Sequence, residues 1–206
     1  MNWSAACCLF ALLCVPAPGS SAGPAVPANG DLVFQSTGSS SQGKAIQRAT
    51  RSPYSHMGMI FLKGGDCYVL EAVGPVKYTP LKTWVRQGEM GHYVVRRLKD
   101  ADRILTARAV GKLKKEAGKY LGKPYDHDLG WSDDRFYCSE LVWKIYRNAL
   151  GIEIGRPTKL GEFDLAHPLV KEQLKKRYGD AVPLDEPVIS PGQMFQSEML
   201  ETVASH

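Results

Sequence analysis

The chain has 206 residues, is 44% hydrophobic and 23% charged, and carries a formal net charge of +5. That composition suits one globular domain with a substantial core and excludes a disordered polyelectrolyte. The positive charge is spread along the chain without interleaved aromatics or a recognisable nucleic-acid motif, so nucleic-acid binding is not expected. Membrane contact is at most peripheral.

The first elements read as processing signals. "CCLFALLCV" (7–15) is apolar but too short to span a bilayer, and small residues follow it, with Ser20-Ser21-Ala22 as a cleavage site. Residues 1–22 are therefore expected to be a signal peptide, 23–30 a linker rich in Pro, Ala and Gly, and 31–206 the domain. A periplasmic or secreted protein follows. Lipid anchoring through Cys7 or Cys14 fits less well, because neither preceding triplet makes a good lipobox. Removing the leader leaves two cysteines, Cys67 and Cys138. In an exported protein two cysteines invite a disulfide.

"DLVFQS" from Asp31 predicts a strand, "TGSSSQGK" a loop, and "AIQRATR" a short helix. "SHMGMIFL" (55–62) and "CYVLEAV" (67–73) are β-rich runs around "KGGD", a hairpin signal. A turn and short helix are expected around "TPLKTWVRQG", and a strand at "HYVVRRL" (92–98). "ADRILTARAVGKLKKEAGKYLG" carries a helical period through Ile104, Leu105, Ala109, Leu113 and Ala117. A loop, "KPYDHDLGWSDD", precedes an amphipathic helix led by Cys138, with Leu141, Val142, Ile145 and Ala149 on one face. A basic helix from Lys171, an edge strand at "DEPVISPG" and a short final helix complete the reading. Strands bunched early with helices on either side predict an α+β fold.

Turn chemistry builds a constellation. With Gly64-Gly65 at the turn, Lys63 faces Asp66, Leu62 faces Cys67 and Gly58 faces Glu71. His56 then shares a sheet face with Glu71, one diagonal step away and within reach of long side chains. Cys67 falls at the hairpin tip, about 13 Å along the strand from Glu71 at ~3.3 Å per residue. Pairing of Cys67 with Cys138 is thereby disfavoured. A thiol at a helix N-terminus beside an imidazole has the means to ionise, and the same free N–H groups hold an oxyanion. Cysteine, histidine and carboxylate together suit attack on an amide, ester or thioester. Each residue also has a plainer use: Cys138 as core, His56 as a satisfied strand residue. Glu71 is harder to set aside, since a lone carboxylate in an apolar strand is costly to bury. No C-x-x-C or H-x-x-x-H spacing supports zinc.

Six segments in order, "GDLVFQS" (30–36), "SPYSHMGMIF" (52–61), "YVLEAVGPVKYTPLKTWV" (68–85), "GKPYD" (122–126), "FYCSELVWKIY" (136–146) and "PVISPGQMF" (187–195), resemble the permuted papain-like cysteine hydrolases. The resemblance is to the YiiX/YebB-like branch of the NlpC superfamily. It implies a small curved antiparallel sheet packed against helices, and a circular permutation that sets His56 and Glu71 ahead of Cys138. It implies a cysteine hydrolase with a Cys-His-Glu triad: Cys138 as nucleophile, His56 as base and then acid, Glu71 as the third member. Tyr54, Gln35 and Tyr137 are candidate substrate or oxyanion groups. The implied reaction cleaves an amide in a small peptide, a wall-derived peptide or an N-acyl amino acid through a thioester, with no metal or organic cofactor. The rival readings are a thiol-dependent lipid thioesterase or acyltransferase, which a long apolar channel beside Cys138 would favour, and a binding module without turnover.

Overall fold

The computed structural model describes residues 26–206. The expected signal peptide lies outside the described residues. Residues 26–30, expected as linker, are tied to the domain: the Leu62 N–H donates to Asn29 Oδ1 at 2.8 Å and Arg97 Nη2 to the Val26 carbonyl at 3.0 Å.

One antiparallel sheet organises the chain. Its strands are β1 (Leu32–Gln35), β2 (His56–Lys63), β3 (Asp66–Glu71), β4 (Lys77–Pro80), β5 (Tyr93–Leu98) and, from the end of the chain, β8 (Leu200–Ser205), in the order β4-β3-β2-β1-β5-β8. A two-stranded ribbon, β6 (Thr158–Lys159) with β7 (Pro187–Val188), stands apart. The helices are α1 (Ser41–Thr50), α2 (Leu81–Val85), α3 (Ala101–Ile104), α4 (Ala107–Tyr120), α5 (Cys138–Leu150), α6 (Pro168–Tyr178) and α7 (Pro191–Phe195). The mixed fold, a sheet packed against helices, agrees with the α+β expectation.

The hairpin forms in the expected register. Lys63 pairs with Asp66, Leu62 with Cys67 and Met59 with Leu70. Gly64 and Gly65 both have positive φ, 61° and 90°, which a two-residue hairpin turn of this hand requires. Alternation along the strands then sorts the side chains into two cores. Leu32, Phe34, Met57, Met59 and Leu70 join the larger one, with Leu141, Val142 and Ile145 of α5. Val33, Ile60, Val69 and Val95 fill the smaller one beneath Trp84 of α2.

Several boundaries differ from the sequence reading. The expected loop at 37–44 gives way to helix at Ser41, because Ser40 caps α1 by accepting from the Gly43 N–H at 2.9 Å. The long periodic segment is two helices. The chain breaks at Leu105, and the Thr106 hydroxyl caps α4 through the Ala109 N–H at 3.3 Å. Strand β4 replaces part of the expected turn and pairs with β3, and the chain closes on β8 after the short α7.

Candidate active site

The first turn of α5 and the β2–β3 hairpin meet at one place. Cys138 opens α5 and is 5% exposed; its neighbours in chain fix it on both sides. The Tyr137 hydroxyl accepts from the Ile189 N–H at 3.2 Å, and the Ser139 hydroxyl donates to the Ile189 carbonyl at 2.8 Å. Glu140 Oε2 accepts from the Tyr137 N–H at 3.4 Å, which satisfies a free donor at the helix start. Glu140 itself is pushed up to about 8, by burial first and against the pull of Lys144, whose ammonium lies 2.9 Å from Oε1.

His56 and Glu71 are buried, at 7% and 0% exposure, and joined at 2.7 Å between Nε2 and Oε2. Strand parity puts both on the face of the smaller core, where Trp84 stacks on the imidazole with ring centroids 5.8 Å apart. Thr79 of β4 donates to the other Glu71 oxygen at 2.5 Å. The pair also needs β2 and β3 in close approach: a Cβ at Gly58 would stand 2.3 Å from Val69 Cγ1 and 2.7 Å from the Leu70 carbonyl oxygen.

The electrostatics follow from this packing. Burial works against charge on His56, but Cys138 and Glu71 outweigh it and raise its pKa to about 9. Burial likewise pushes the Cys138 thiol up, yet the adjacent His56 and the Met57 N–H bring it net below the ordinary value. Glu71 is held low: burial raises it, and His56 and Thr79 overcome that. Both described cysteines are free, as the hairpin register implied, and Cys67 is half-buried at the hairpin tip.

Beside Cys138 opens a crevice of about 780 Å3, counted to its open mouth. Its walls are mostly apolar and come from α1 (Ala45, Ile46), α6 (Val170, Leu174), Leu129 and Phe163. Its enclosed space is about 110 Å3, and the rest is open to solvent.

The secondary candidates divide. Tyr137 lines the crevice and also anchors Ile189. Tyr54 does not line it; its ring packs on Phe195 with centroids 4.3 Å apart, and on Phe34 at 5.8 Å. Gln35 is the strand partner of His56 and wholly buried, with both amide atoms unpartnered, and it too is absent from the crevice wall. Sequence reasoning missed Thr79, Trp84, Tyr125 and Arg177. Tyr125 lines the crevice with Cys138 because its loop is pinned to the segment entering α5: the Asp126 N–H donates to the Phe136 carbonyl at 3.0 Å, and the Phe136 N–H to the Pro124 carbonyl at 3.1 Å. The one signal for it was the aromatic in "GKPYD".

Residues 26–204 match the family described as permuted papain-like amidase enzyme, YaeF/YiiX, C92 family. The chain belongs to this amidase family. It is 53% identical over 178 residues to YiiX of Escherichia coli K12, an uncharacterized protein, covering 86% of each chain. It is also similar to the crystal structure of YiiX from Escherichia coli O157:H7, which is described as a metalloprotein: 54% identity, a TM-score of 0.83, and coverage of 87% of this chain and 98% of that one.

These findings correct the expected enzyme class, a cysteine hydrolase with a Cys-His-Glu triad. The solved relative is described as a metalloprotein. Among the described residues, side-chain hydrogen bonds join His56 to Glu71 and Thr79 to Glu71. A metal centre is not evident either. No group of three or more His, Cys, Asp or Glu among the described residues is placed to hold an ion, and His56 Nε2 is already committed to Glu71. The donor set does not fit a resident metal in this chain, and no step below runs through one. For the amidase family the supported statement is hydrolase chemistry on the permuted papain-like fold.

Proposed function

We propose that this amidase cleaves the amide bond of a small peptide, a wall-derived peptide or an N-acyl amino acid at the crevice beside Cys138, by way of a thioester on that residue. The observation that carries the reading is a free thiol with a lowered pKa, beside a buried imidazole, at the wall of an apolar crevice. In substrate-free enzymes, hydrogen bonds used in catalysis often close only around the bound substrate.

The chemistry balances as follows. The Cys138 sulfur bonds to the substrate carbonyl carbon, and the thiol proton resides on His56. The C–N bond then breaks, and the leaving amine takes that proton. Water adds to the thioester, gives a proton through His56 back to sulfur, and releases the carboxylic acid. N–H groups at the start of α5 supply donors for the tetrahedral oxyanion.

A second reading keeps the same thiol and exchanges the bond: hydrolysis or transfer of a fatty acyl group from an ester or thioester. The apolar crevice favours an acyl chain as part of the substrate in either case. Export to the periplasm or outside the cell, in keeping with the apolar leader at 7–15, completes the proposal.

The test is hydrolysis of an N-acyl amino acid library followed by mass spectrometry, with and without a chelator. Turnover insensitive to chelator, and an acyl mass on Cys138 in quenched samples, support the amide reading. Full activity of Cys138→Ala, or loss of all activity with the chelator, would overturn it.

A further inference from the structure

Resting on the amidase reading, we infer that Arg177 is a specificity residue that holds a substrate carboxylate, so that the preferred substrate is an anionic amphiphile: an apolar acyl chain joined through the scissile amide to an acid. Arg177 lies in the last turn of α6 and is the single Lys, Arg, Asp or Glu among the residues lining the crevice. Its helix neighbours Val170 and Leu174, seven and three positions back, face the same space, so helical periodicity aims all three inward. The guanidinium makes no ion pair among the described residues. Asp128, on the loop that also carries Tyr125, pairs instead with Arg135 at 3.3 Å.

Its recorded neighbour is the Tyr178 ring, whose centroid lies 6.0 Å from the guanidinium carbon, and no acid answers its charge among the described residues. Surface position does not account for it, because Lys171, Lys175 and Lys176 of the same helix are exposed while Arg177 is half-buried. Arg177 and Cys138 both act on the hydroxyl of Tyr125, one lowering and one raising its pKa, so the cation and the thiol flank a common neighbour. Gln42 and Gln173 add neutral hydrogen-bonding groups to the wall. A planar guanidinium with such neighbours is suited to a bidentate carboxylate. Both an N-acyl amino acid and a short peptide with a free C-terminus carry that group. The apolar walls add affinity for the acylated form.

The experiment is calorimetric binding of N-decanoylalanine, its neutral primary amide and unacylated trialanine to the full chain and to Arg177→Gln and Arg177→Lys. The acid is expected to bind about tenfold or more tightly than the amide, since hydrogen bonds to charged groups carry that much. Arg177→Gln should erase the preference, Arg177→Lys should keep part of it, and binding of the neutral amide should be unchanged in both. Unchanged amide binding also shows that the variants fold. Trialanine binding as tightly as the acid would overturn the acyl-chain half of the inference and assign the site to peptide C-termini. Equal binding of acid and amide by the unmodified chain, no binding of either, or a preference that survives Arg177→Gln would overturn the inference. Hydrolysis is read separately: selective binding without any amide cleavage would remove the amidase reading and leave the Arg177 site standing.

Discussion

The hairpin of β2 and β3 holds a thiol at its tip and helps to tune another at its base, and the two differ in every respect that governs reactivity. Cys67, beside the Gly64-Gly65 turn, is half-buried, and burial together with Asp66 and Asp31 pushes its thiol up. Cys138 is more deeply buried, yet His56 brings its pKa down. Burial alone would order them the other way. What separates them is the sign of the neighbouring charge, which the hairpin sets by holding carboxylates near one thiol and an imidazole near the other.

The comparison breaks most completely if its two poles are removed. Cys138→Ala is expected to abolish amide turnover, and His56→Ala to lower it by about 10²-fold or more, the usual contribution of a positioned proton carrier. Timed iodoacetamide labelling gives the matching readout: Cys138 should react faster than Cys67 at neutral pH, and His56→Ala should bring its rate toward that of Cys67. Next in size is Glu71→Ala, which leaves the buried imidazole without its partner. Urea unfolding should show a loss of about 3–5 kcal/mol, the range for breaking a buried pair.

Titration sharpens the same contrast. The His56 pKa is raised, so its charged form contributes stability that is fully present below the ordinary histidine range and is lost as pH rises through about 9. The Glu71 pKa is lowered, so its contribution is present above the ordinary carboxylate range and is lost as pH falls through the depressed folded value. Urea midpoints should therefore decline on both sides of neutrality. The labelling preference for Cys138 should shrink above pH 9, as His56 loses its proton and Cys67 begins to ionise. The smallest effect belongs to Thr79→Val, which removes one donor from Glu71: about 1–3 kcal/mol in urea unfolding, with labelling of Cys67 unchanged.

How much of this was legible depended on the range of the interaction. Gly-Gly between two β-rich runs sets a register locally, and the His56–Glu71 pair follows from it. The helix at Cys138 has its period and its Gly151 stop, at φ 71°, in one stretch of sequence. Strand β4 was hidden because four residues ending in Pro80 make an edge strand only when β3 is there to pair with. The break before α4 was hidden because the apolar period runs straight through Leu105. Tyr54 looks like a site residue by its nearness in sequence to His56 and Gln35 by its side-chain amide in "VFQ"; packing places one in an aromatic cluster and the other under Gly88. Trp84, Tyr125 and Arg177 reach the site from three separate segments, and no local pattern marks such convergence.

Ile189 grips the residues on both sides of Cys138 through its N–H and its carbonyl, from 50 positions farther along the chain. During synthesis, therefore, the thiol emerges long before the residue that clamps its setting. Until that late segment docks, the first turn of α5 lacks the two hydrogen bonds that hold the residues flanking the sulfur.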